Sequence, residues 1–160
     1  MADAAEPTWL SPAAAQKLQE EYEHLTTVGR LQATERIAEA RSHGDIRENA
    51  DYDAAKNEQG LMEARIRRIR HILDNAEVRE IEAGDEVVVG SIVTVADESG
   101  DELDFFLAPP ENRVAGLVLA SPTSPLGTAL LGARIGDRVG YEAPGGTFTY
   151  QVLAIRPFEG

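Results

Sequence analysis

Asp45 and Glu48 are the two side chains best placed to do chemistry in this sequence. They lie in Ala40-Arg-Ser-His-Gly-Asp-Ile-Arg-Glu-Asn-Ala-Asp-Tyr52, between two long stretches of helical spacing. Two carboxylates at the bend of a helical hairpin have no packed core around them, so they cannot make a complete active site. They read as a probe that carries acids into a site belonging to another molecule. Mg²⁺ suits such a probe, because it prefers one or two carboxylates plus water to a full protein cage. A structural role is equally open. Asp followed three residues later by Glu is a capping-box pattern, and both acids favour a helix N-terminus. The two roles are compatible, since a capping carboxylate still presents its outer oxygens.

The elements that must position these acids follow from periodicity. Tyr52, Ala55, Gln59, Met62, Ile66, Ile69 and Leu73 recur at alternating steps of three and four, the seam of a coiled coil with one polar member, Gln59. In the preceding helix Leu18, Tyr22 and Leu25 hold one phase, whereas Ala33, Ile37 and Ala40 hold another, shifted by one residue. The slip falls near Gly29 and predicts a local kink or repacking there. Helices of similar length joined by a short loop run antiparallel, and about 30 residues make a rod roughly 45 Å long. Arg65, Arg67, Arg68 and Arg70 read as a solvated face with Glu58, Glu63 and Asp74 within reach for ion pairs. His24, His43 and His71 lack the spacing of a metal site.

Near residue 80 the pattern changes to short apolar runs broken by Gly, Pro and Asp. Val87-Val-Val, Ile92–Val95, Leu103–Leu107 and Phe148–Ile155 read as strands, and Ala143-Pro-Gly-Gly146 as a hairpin turn. Ser124-Pro-Leu-Gly-Thr-Ala-Leu-Leu-Gly132 reads as a short helix with Ser as N-cap, Pro at the first helical position and Gly at its end. The predicted architecture is α+β, with an antiparallel coiled-coil hairpin over residues 8–78 and a smaller α+β domain over 82–160.

Composition narrows the partners. The net charge is −13, and residues 81–160 hold 4 basic against 12 acidic side chains. Binding to free DNA is therefore not expected, since phosphate contacts need clustered Lys and Arg. A nucleoprotein machine with a basic cavity stays open. With no cysteine there is neither a disulfide framework nor thiolate chemistry. No signal peptide and no apolar run near the ~20 residues of a membrane span are legible, so a cytoplasmic protein without membrane contact is expected.

The segment Thr34–Tyr52 closely resembles the signature of the bacterial Gre transcript-cleavage factors. Ser121-Pro-Thr-Ser-Pro-Leu-Gly-Thr-Ala-Leu-Leu-Gly132 with Gly136-Asp137 resembles a second signature of that family, and Ala143-Pro-Gly-Gly146 a third element. The resemblance runs from about Leu10 to Ile155. It implies an N-terminal coiled coil and a C-terminal FKBP-like α+β domain that docks at the rim of the secondary channel of bacterial RNA polymerase. In such factors the coiled coil enters the channel, and its tip acids help hold a second catalytic Mg²⁺ while the polymerase hydrolyses the 3′ end of backtracked RNA.

By position, Asp45 and Glu48 match those acids. Gly44, Asn49, Asp51, Tyr52 and Asp53 would shape the tip, and Ser121, Ser124, Pro125 and Leu126 would meet the polymerase. The resemblance thus implies an accessory factor, not an enzyme. It has no cofactor of its own, shares Mg²⁺ with the polymerase, and meets RNA only at its 3′ end within the complex.

Some positions depart from the family pattern. Thr128 and Ala133 stand where an Arg and a Lys are common, and Asp53 where a His is frequent. Ala108-Pro-Pro-Glu-Asn-Arg113 lacks the usual acidic loop. The Ser124–Gly132 helix with Arg156-Pro-Phe158 also resembles the nucleoside-diphosphate-kinase regulators, Gre-fold proteins that bind polymerase without promoting cleavage. A homologue that occupies the channel and inhibits transcription is thus the alternative reading.

Overall fold

A computed structural model describes residues 7–42 and 46–160, with the side chains of residues 46–49 outside that description. The described residues form two compact units, residues 15–75 and residues 7–14 with 76–160.

The helical unit is built from α1 (Pro12–His24), a π-helical segment (Leu25–Gly29), α2 (Arg30–Ser42) and α3 (Ile46–Asp74). α2 and α3 run antiparallel: Arg30 pairs with Glu63 and Arg36 with Glu58, so partner numbers fall on one helix as they rise on the other. The seam lies where the spacing put it. Ala55, Ile66 and Ile69 are buried, and Tyr52, Gln59, Met62 and Leu73 are half-buried. Ile72, one residue off the seam, is buried too.

The π-helical segment falls on the predicted phase slip and accounts for its size. A π-turn carries one more residue than an α-turn, so the stripe Leu18–Tyr22–Leu25 resumes one position late at Ala33, Ile37 and Ala40. Carbonyls disturbed by the wider turn find side-chain partners. Thr26 Oγ1 donates to Tyr22 O at 2.8 Å, and Thr27 Oγ1 to Glu23 O at 2.6 Å. Gly29 allows close approach to α3, since a Cβ there would stand 3.1 Å from Met62 Sδ.

The other unit holds a five-stranded sheet of β3 (Ser91–Ala96), β4 (Glu102–Leu107), β5 (Val118–Ala120), β6 (Arg138–Ala143) and β7 (Gly146–Pro157), in the order β5-β4-β3-β7-β6. All pairings are antiparallel except β4 with β5. A short helix, α4 (Pro125–Leu130), packs by β6, and Leu130 enters a core with Val93, Val95, Leu107, Val139 and Val152. A second cluster gathers Trp9, Ile81, Ile92, Phe106 and Ala108. There Phe106 lies between Trp9, edge-on at 6.1 Å, and Phe158, stacked at 4.4 Å.

The predicted strand at Val87–Val89 is not one. Val87 is buried and exchanges main-chain hydrogen bonds with the segment after α4, donating to Ala133 O and accepting from Gly132 N, but regular pairing goes no further than an isolated bridge between Glu86 and Arg134. Two short strands, β1 (Thr8–Leu10) and β2 (Ala76–Val78), pair in parallel. They bring residues 7–14 into the sheet unit, whereas the sequence reading placed residues 8–78 together in the coiled coil.

Candidate functional site at the hairpin tip and the Ser-Pro helix

Gly44 and Asp45 lie outside the described residues. Glu48 and Asn49 belong to the first turn of α3, with side chains outside the description. In sequence Asp45 immediately precedes α3 and Glu48 is its third residue, the spacing of a capping box. Asp51 and Asp53 are exposed and Tyr52 is half-buried.

Below the tip the hairpin narrows. Ala40 of α2 and Ala55 of α3 are both buried, and side chains this small let two helices approach closely. Arg41 Nη2 donates to Tyr52 Oη at 3.3 Å while its guanidinium sits 5.5 Å from the ring centroid. That hydrogen bond, then the charge of Arg41, hold the Tyr52 phenol below its ordinary range. Further down, Arg36 pairs with Glu58, and Arg30 grips Glu63 with two bonds of 2.9 and 3.1 Å. Arg65 grips Glu21 on the facing strand of the hairpin at 2.8 Å twice. Of the predicted basic face, Arg70 finds Asp74 within its own helix, whereas Arg65 reaches across. Among the described residues no group of three or more His, Asp or Glu gathers as a metal would require. No helix among them is long and apolar enough to cross a membrane.

The second predicted site is the start of α4. Ser124 is its N-cap: its Oγ accepts from Gly127 N at 3.0 Å and donates to Ser121 O at 2.6 Å. Ser121 Oγ lies 3.0 Å from Thr123 Oγ1. The structure thus brings Ser121 and Ser124 into one hydrogen-bonded turn, with Pro125 exposed and Leu126 half-buried beside it. The tightness of that turn depends on Gly127, where a Cβ would stand 1.8 Å from Ser121 O. Gly132 ends the segment at φ +85°, a conformation that favours glycine. Thr128 is exposed, but Ala133 is 6% exposed and belongs to the core, so its neutral side chain is a matter of packing and not of lost surface charge.

Sequence reasoning missed Arg41, Gly127 and Asn112. Arg41 and Asn112 act on partners distant in sequence, and no local pattern marks them. Gly127 sat in a quoted motif whose close contact is visible only in three dimensions.

The family profile described as "Transcription elongation factor, N-terminal" matches residues 8–78, and "Transcription elongation factor, GreA/GreB, C-term" matches residues 82–157. The chain is 42% identical over 157 residues to "Transcription elongation factor GreA" of Streptomyces coelicolor, covering 96% of this chain and 95% of that one. It is 44% identical over 142 residues to the protein of the same name from Thermotoga neapolitana, with 88% and 91% covered. Among solved structures, GreA factor homolog 1 of Thermus thermophilus is 32% identical, with 94% of this chain and 99% of that chain covered and a TM-score of 0.43. Two matched profiles that together span the helical hairpin and the sheet unit, with relatives matched over most of their length, establish that this chain belongs to the Gre family of transcription elongation factors.

Proposed function

We propose that this elongation factor binds RNA polymerase through its sheet unit and delivers Asp45 and Glu48 to the polymerase active centre, where they promote hydrolysis of backtracked RNA. The observation that carries this reading is the placement of the two acids in the chain. α2 ends at Ser42, α3 starts at Ile46 and the helices run antiparallel, so both acids belong to the far end of the hairpin. The arginine rungs from Arg30 to Arg41 support it, because they brace the two helices up to that end.

Phosphodiester hydrolysis by two metals needs a second cation to clamp the attacking and leaving oxygens. Asp45 and Glu48 would hold that Mg²⁺ jointly with the polymerase. Two carboxylates on a tip complete a site already holding one metal and cannot form one alone, so the free protein is an accessory factor with no nuclease activity of its own. Ser121, Ser124, Pro125 and Leu126 form the surface assigned to the polymerase. The 3′ end of the RNA is met only within the complex, and the reading places the protein in the cytoplasm.

A second reading has its own observation. Asp51 and Asp53 add two exposed acids on the first turns of α3. A tip with surplus carboxylate could sequester the metal or block nucleotide entry, giving a channel-occupying inhibitor. RNA cleavage in a stalled, backtracked complex of the cognate polymerase separates the two. Wild-type protein should cleave, and Asp45→Asn/Glu48→Gln should fall to the polymerase's own rate. Binding with slowed synthesis and no cleavage would establish the inhibitor instead.

A further inference from the structure

The stretch that departs from the family's acidic loop contains a buried polar side chain with no role so far. Asn112 ends a short 3-10 turn, Pro110–Asn112, and is 1% exposed. Its Oδ1 accepts from Ser11 N at 2.8 Å, and its Nδ2 donates to Trp9 O at 2.9 Å and to Pro109 O at 3.2 Å. One amide, 101 residues from Ser11 in sequence, thus satisfies the main-chain groups on both sides of Leu10. That segment is where α1 begins: Ser11 Oγ accepts from Ala14 N at 3.0 Å and so caps the helix. α1 starts within the sheet unit and continues into the helical one.

The returning chain is tied at the same place. β1 pairs with β2, and Trp9 Nε1 donates to Arg79 O at 3.0 Å. Leu10 and Trp9 already bury this segment, so apolar packing alone would hold it. What a fully bonded amide in a dry site adds is direction, because acceptor and donors must meet fixed main-chain partners at once.

We propose that Asn112 is a positioning residue: it fixes the main chain from which α1 starts, so that docking of the sheet unit is transmitted to the tip carboxylates. It touches no reacting atom, and the inference rests on the cleavage reading above.

The test uses the full chain and titrates each variant against a backtracked polymerase complex, separating maximal cleavage rate from half-saturating concentration. Asn112→Ala removes the whole network. Asn112→Asp keeps the acceptor for Ser11 N and provides a second, closely sized variant should the alanine protein fail to fold. Ser11→Ala is the control, since it deletes the cap hydroxyl and leaves the N–H that Asn112 receives.

The Asn112 variants should lose about tenfold in maximal rate, as misplaced catalytic geometry does, with half-saturation within about twofold. Ser11→Ala should leave both quantities within about twofold. Exchange of the Ala14 and Ala15 amides should quicken by about tenfold in the Asn112 variants, a local opening. An unchanged maximal rate in a folded Asn112 variant, or an equal loss in Ser11→Ala, overturns the positioning role and leaves the cleavage reading standing. Absence of cleavage by wild-type protein overturns both.

Discussion

The helical hairpin and the sheet unit hold themselves together by different means. Apart from its seam, the hairpin is exposed and relies on paired charges: Arg30–Glu63, Arg36–Glu58 and Arg65–Glu21 bridge it. The sheet unit buries Phe106, Leu107, Val93, Val95, Val152 and Leu130 completely. The hairpin accommodates an extra residue by widening one turn, and a polar Gln59 sits in its seam. Interiors packed like the sheet unit have no such slack. A projecting probe and a docking platform thus meet different demands, pliability in one and fixed shape in the other.

That contrast can be broken most directly in the second aromatic cluster. Phe106→Ala should destabilise the sheet unit by about 4 kcal/mol, the usual cost of emptying a buried aromatic site. Urea unfolding followed by near-ultraviolet circular dichroism measures it. A loss below about 1 kcal/mol would show that this core is as yielding as the hairpin.

Two glycines sharpen the comparison. Gly127→Ala puts a Cβ 1.8 Å from a main-chain oxygen that cannot move alone, and should cost about 2–3 kcal/mol in thermal unfolding. Gly29→Ala meets only the flexible end of Met62 at 3.1 Å. It gains up to about 1 kcal/mol of helix propensity, so the net change should stay within about 0.5 kcal/mol. Equal effects at the two sites would remove the distinction.

The smallest effect concerns pH. Hydrogen bonds from Arg65 and Arg30 hold Glu21 and Glu63 below the usual carboxylate range, and the Thr94 hydroxyl, then Arg156, do the same for Asp104. A depressed folded value contributes stability above the unfolded value, near pH 4.3 for Glu, and the contribution is lost as pH falls through the folded value. The hairpin, with two such bridges, should therefore soften more than the sheet unit from about pH 5 downward. Far-ultraviolet melting of wild type against Arg65→Met reads this, and the variant should show the shallower pH dependence. Added salt should reduce the difference, since these pairs are exposed.

How much was legible depends on how far each constraint reaches along the chain. The seam from Tyr52 to Leu73 and the one-residue slip before Ala33 are local periodicities, and both appear in the structure. The Ser124-Pro125 cap was equally local. Ser11-Pro12 has the same pattern at the start of α1, and it could have been read the same way. The strands β1, β2 and β5 are three residues each, too short to announce themselves, and β6 contains Arg138 and Glu142 on an edge. Val87–Val89 misled because β-branched residues also suit an extended segment whose pairing is limited to one bridge. Asn112 was illegible because its partners lie about a hundred residues away. At the candidate site, the acids were found by type and spacing, whereas the Arg41–Tyr52 clamp needed the helices laid side by side.

The widened turn at Leu25–Gly29 also determines which lesions the hairpin can survive. Substitutions there meet solvent or the soft end of Met62, but the number of residues is another matter. Deleting Thr26 or Thr27 would restore an uninterrupted α-helix and rotate everything beyond it by about 100°. Ala33, Ile37 and Ala40 would then face away from α3, with new side chains against it. At this point the gene's reading length, more than its spelling, sets which way the far half of the hairpin faces.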